Sequence, residues 1–203
     1  MNRRLLTLGL VSFGYLGLAL SGLSMHAQAD TGSEAALVIQ VPQSFYQHPV
    51  RLLHPYINYW HPRGEAAAQV GVNSFQAKNY ATSSCEADAK GQALVVIEPN
   101  LFYNPQSGVF YSQIVAKVYD KPGADSALAN PLLTVKGEGQ ARGWLTYNIE
   151  GFAQQSYEQA FEQVIARLQQ DAGFQRSISQ GTVHTYAALC QSINTLSQPK
   201  AQF

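Results

Sequence analysis

Three His-Pro pairs, His48-Pro49, His54-Pro55 and His61-Pro62, recur at intervals of six and seven residues, with Phe45, Tyr46, Tyr56, Tyr59 and Trp60 among them. Neutral imidazole is a ligand for zinc and copper, and proline holds a backbone extended. One reading is therefore a metal centre on His48, His54 and His61. No His-x-His or H-E-x-x-H spacing accompanies them, and Glu65 is the nearest carboxylate. A second reading is a binding surface: Tyr46, Tyr56, Tyr59 and Trp60 offer large contact area at low entropic cost to an envelope protein or a cell-wall glycan. A third is a Pro-rich coil that packs its aromatics over one side of a sheet.

Other chemistry has less to stand on. Glu98, Asp120, Glu138 and Glu150 fall at or near expected strand ends, and a hydrolase of envelope polymers would need two such carboxylates in one cleft. There is no G-x-S-x-G nucleophile elbow and no Walker phosphate loop. The reading favoured by composition and motifs is a non-catalytic binding protein without a cofactor, with a hydrolase and a metal-binding protein as alternatives.

The two cysteines, Cys85 and Cys190, stand far apart with no C-x-x-C, which in an oxidising compartment reads as one disulfide. The N-terminus points to such a compartment. Arg3 and Arg4 precede an uncharged apolar run from Leu5 to Leu23, and Ala27-Gln28-Ala29 is a small-x-small cleavage pattern. Residues 1–29 therefore read as a signal peptide and 30–203 as a single domain, soluble and periplasmic or secreted. No cysteine follows the leader for lipid attachment. Nothing beyond it approaches the ~20 apolar residues of a transmembrane helix. Loss of Arg3 and Arg4 leaves 11 basic against 13 acidic residues, which disfavours nucleic acid as a partner.

The elements that would position these residues read as α+β. Residues 36–41 form a short strand stopped by Pro42, and the region around 75–90 is a helix closed by Gly91. Leu94 begins a strand running toward Tyr103, with Pro99 marking an edge or a bulge. Asn104–Gly108 is a turn. From Val109 to Tyr119, Phe110, Ser112, Ile114, Ala116 and Val118 share one face of a second strand. Residues 120–123 turn into a third strand over 132–136. The result is an antiparallel meander with helices packed on one face. One helix starts at Ser156, which with Gln159 makes a capping box, and ends at Gly173; another spans 183–196 and carries Cys190 toward Cys85.

Over about residues 92–172 this layout resembles small bacterial envelope accessory proteins and lipoproteins of the curli-assembly and transporter-auxiliary type. The pieces that match are Val118-Tyr-Asp120 with Gly123, Lys136-Gly-Glu-Gly139, and the helix Tyr157–Ala172. The resemblance implies a non-catalytic protein that binds partners or scaffolds machinery, and it supplies no catalytic residues. The chain departs from the lipoproteins in lacking their lipidation cysteine.

Overall fold

The computed structural model describes residues 37–122 and 130–196. The expected leader, Gly123 of the expected turn and the last seven residues lie outside the described residues. In chain order the elements are β1 (Leu37–Gln40), α1 (Gln43–Gln47), β2 (Val50–Leu53), β3 (Asn58–His61), α2 (Arg63–Gln76), β4 (Thr82–Ser84), β5 (Lys90–Gly91), β6 (Ala93–Asn104), β7 (Val109–Tyr119), β8 (Leu133–Arg142), α3 (Ile149–Gln170), α4 (Ala172–Gln180), β9 (His184–Thr185) and α5 (Ala187–Leu196).

The fold is α+β. Its main sheet has five strands in the order β4-β1-β6-β7-β8. The meander β6–β7–β8 is antiparallel, with Ile114 opposite Pro99 on one side and Gly137 on the other. At the other edge β1 runs parallel to both β6 and β4, so the sheet as a whole is mixed. Parallel neighbours need a long crossover, and α2 provides it between β1 and β4. Pro99 sits in the long central strand, but β1 pairs only with Ala93 to Val96. Past that point this side of β6 carries no β1 hydrogen bonds, and a residue without an N–H costs no ladder bond.

The alternation read from β7 holds. Phe110, Ser112, Ile114, Ala116 and Val118 are buried beneath the helices, while Tyr111, Gln113, Val115 and Lys117 are half-buried on the reverse face. The main core joins this inner face to Ala67, Val70 and Phe75 of α2, Phe174 of α4, and Tyr157, Ala160, Phe161, Val164 and Leu168 of α3.

Helix boundaries differ from the sequence reading. The α2 helix occupies 63–76, including the Ala66–Ala68 run, and the chain leaves it at Asn79, whose φ of 64° is left-handed. Residues 82–84 are a strand, and Gly91 lies in β5 instead of capping a helix. The α3 helix begins seven residues before Ser156, which is buried inside it and donates its hydroxyl to the Ala153 carbonyl. Gly173 does not end it. Asp171 breaks the helix with extended backbone and caps α4, its carboxylate accepting the Phe174 N–H at 2.8 Å.

Two glycines bring α3 onto β8. A Cβ on Gly137 would overlap the Ala160 carbonyl, and one on Gly139 the Ser156 carbonyl. At this distance α3 reaches the outer backbone of β8. Gln159 accepts the Gln140 N–H at 3.1 Å, Gln163 accepts the Glu138 N–H at 3.3 Å and donates to the Glu138 carbonyl at 2.7 Å, and Arg167 donates to the Lys136 carbonyl. These three side chains are spaced four apart, one helical turn each.

On the reverse face a smaller core forms from Val38, Leu94, Val96 and Tyr119 with Tyr186, Leu189, Cys190 and Ile193. Thus α2, α3 and α4 share one face, while the helix expected over 183–196, here the shorter α5, packs on the other face and covers its first half. The Cys85–Cys190 disulfide ties α5 to the segment after β4, with α-carbons 6.3 Å apart.

Candidate functional site

The His-Pro segment forms a small antiparallel hairpin, β2–β3, with Val50 opposite His61, Arg51 opposite Trp60, Leu52 opposite Tyr59 and Leu53 opposite Asn58. The prolines punctuate it. Pro49 precedes β2, Pro55 sits in the connection, and Pro62 is the N-cap of α2. Residues flanking proline favour turns and extended starts. The six- and seven-residue spacing of the pairs is therefore the length of one short strand plus its turn.

Strand alternation gives the hairpin two faces. The inner one carries Leu52, 1% exposed, and His61, fully buried, with Val50 and Tyr59 packed partly against the main core. The outer one carries Arg51, Leu53, Asn58 and Trp60, and the Arg51 guanidinium donates to Asn58 Oδ1 at 2.6 Å. Leu53 is 55% and Trp60 58% exposed, and Tyr56 at the tip is 91% exposed. Of the four aromatic residues expected to bind, Tyr56 and Trp60 stand in solvent, while Tyr46, in α1, and Tyr59 lean on the core. Leu53 was not foreseen; a four-residue strand is too short to show alternation.

The histidines are dispersed. His48 is exposed after α1, and His54 sits in the hairpin connection, where its Nδ1 accepts the Tyr56 N–H at 3.2 Å. His61 points inward. Among the described residues no three His, Cys, Asp or Glu side chains gather as metal ligands would.

His61 belongs instead to a partly buried polar group. Its Nδ1 is 3.3 Å from Glu150 Oε2 at the start of α3, off the line of a hydrogen bond, and its ring is 6.0 Å from that of Tyr157. Both its nitrogens, Arg63 Nε and the Tyr157 hydroxyl are buried without a hydrogen-bond partner among the described residues. Burial lowers the His61 pKa to about 4, and burial raises those of Tyr157 and Glu150. The imidazole is therefore neutral at pH 7. Unpartnered polar atoms in one interior place are the setting in which ordered water is held.

The carboxylates considered for hydrolysis have separate neighbours: Glu98 pairs with Lys117 at 2.6 Å, Glu138 accepts from Gln113 at 3.3 Å, and Glu150 stands by His61. Between α2 and α3 a groove of about 310 Å³ is lined by Asn73, Lys78, Glu158 and Glu162 with apolar Val70 and Ile165 at its floor. No helix among the described residues is long and apolar enough to cross a membrane. The chain matches no protein-family model, no curated protein and no solved structure.

Proposed function

We propose that the chain is an exported, non-catalytic accessory protein of the bacterial cell envelope, which binds an envelope protein or cell-wall component through the outer face of the β2–β3 hairpin. The observation that carries this reading is the hairpin's division of labour. One face anchors it with Leu52 and His61, while the other face holds Leu53 and Trp60, and the tip holds Tyr56, in water. Exposed aromatic and aliphatic side chains on a rigid, anchored element are what a binding hot spot requires. The leader pattern and the Cys85–Cys190 disulfide support an oxidising, extracytoplasmic location. The layout that resembles curli-assembly and transporter-auxiliary proteins supports an accessory role.

The test is in-cell crosslinking of the tagged protein with mass spectrometry of the captured species, alongside N-terminal sequencing of the exported form. A recurrent envelope component, lost from a Leu53→Ser/Tyr56→Ser/Trp60→Ser variant that keeps its thermal stability, is the expected result. Unchanged capture by that variant removes the hairpin as the surface. A protein that keeps residues 1–29 in the cytoplasm sinks the export reading.

A further inference from the structure

The reverse face of the sheet is covered by α5 only over its first half, at Leu94, Val96 and Tyr119. Beyond the Glu98–Lys117 pair no helix among the described residues covers the face, and a shallow depression of about 200 Å³ lies across β6, β7 and β8. Its composition is specific. Phe102 and Tyr111 face each other across the β6–β7 pair, with ring centroids 6.2 Å apart and planes 31° from parallel. Around them stand Asn100, Gln113, Glu138 and Gln140. That is two rings, three carboxamides and one carboxylate, with no cation among the lining residues.

We infer that this depression is a saccharide-binding site for a neutral or N-acetylated β-linked sugar chain. A β-linked hexose is flat, with axial C–H bonds on its faces and hydroxyls around its rim. The negative face of an aromatic ring attracts the C–H side, and Phe102, 55% exposed, offers such a face on a rigid strand. Carboxamides donate and accept at once, which matches hydroxyls that do the same. The Gln113 amide donates to Glu138 Oε1 at 3.3 Å, which fixes one acceptor of the rim before any ligand arrives. The lining carries Glu138 and no Lys or Arg, which opposes a phosphate or carboxylate group in the depression itself, while Lys136 and Arg142 stand outside it on the same face of β8. A lining with four polar side chains is also poor cover for a second copy's apolar face. The groove between α2 and α3 has no aromatic platform and does not fit the same ligand. The site is separate from the hairpin surface, and it stands or falls independently of the partner proposed there.

The test is titration of the purified protein with tri-N-acetylchitotriose and with cellotriose, followed by backbone NMR shifts and calorimetry. Saturable binding of either sugar is expected, with shifts centred on Asn100, Phe102, Tyr111 and Gln140. The Phe102→Ala variant should weaken it by about tenfold or more, and Gln140→Ala by a smaller factor. Both positions are exposed, and unchanged thermal unfolding of each variant shows that the fold is intact. Absence of saturable binding by both sugars overturns the assignment. Binding that Phe102→Ala leaves unchanged also overturns it. So does a concentration-dependent dimer that Phe102→Ala dissolves, which would give the face to a second copy.

Discussion

The Ser156 carbonyl oxygen lies directly over the α-carbon of Gly139, where a single methyl group would overlap it. The contact is backbone against backbone, so neither side can move aside as a side-chain tip would. Gly139→Ala must lift α3 from β8, and overpacking of this kind costs about 3 kcal/mol. Urea unfolding at neutral pH checks it. Gln163→Ala, which loses two exposed hydrogen bonds to β8, should cost about 1 kcal/mol.

Acid should weaken the fold through His61. Its folded pKa, about 4, is below the ordinary 6.5, so between those values the unfolded chain binds the proton the folded chain refuses. Stability contributed by the neutral ring is intact above pH 6.5 and falls as pH drops toward 4, by about 3 kcal/mol across the window. Glu150, raised by burial, works in the opposite direction, but its side chain is 57% exposed and water screens it. Thermal unfolding from pH 7.5 to 4 should show a steeper decline for the native chain than for His61→Phe. Equal slopes would remove His61 as the cause.

The disulfide spans a sequence separation of 105 residues, and opening it should cost about 4–5 kcal/mol. Reductant should lower the thermal midpoint of the native chain and leave a Cys85→Ser/Cys190→Ser variant unchanged. Two thiols that label before reduction would contradict this.

The two faces of the hairpin should respond differently to truncation. Leu52→Ala empties a buried position and should cost about 2–5 kcal/mol. Trp60→Ala, one strand across on the outer face, should stay within about 0.5 kcal/mol of the native protein. Chemical unfolding of the two variants side by side decides it.

How much of this was legible in the sequence varies by element. The meander was readable because β7 alternates from Phe110 to Val118 and its turn carries Asn104 and Gly108. The disulfide was readable because two cysteines leave one pairing. The start of α3 was misplaced because Ser156 and Gln159 mimic a capping box. Their spacing instead serves β8, with a small residue over Gly139 and an amide over Gln140. The 75–90 helix failed because a left-handed Asn79 ends α2, and no local pattern required it. In the candidate site, Tyr56 and Trp60 were legible as residue types. The inward turn of His61 was not, because it depends on Glu150 and Tyr157, which arrive from almost a hundred residues away.

The ladder of Gln159, Gln163 and Arg167 bears on what the outer rim of β8 offers to another chain. The outer rim of a sheet is a template on which another chain can add a strand, and repeated addition is the start of fibrous aggregation. Along β8 the docking points at Lys136, Glu138 and Gln140 are already taken by side chains of the same molecule. An incoming strand would have to displace these helix-borne partners to pair along the middle of β8. At the opposite rim β4 is three residues long, too short to nucleate growth. The glycines that let α3 descend onto β8 thus also leave less of that rim open to a strand from another copy.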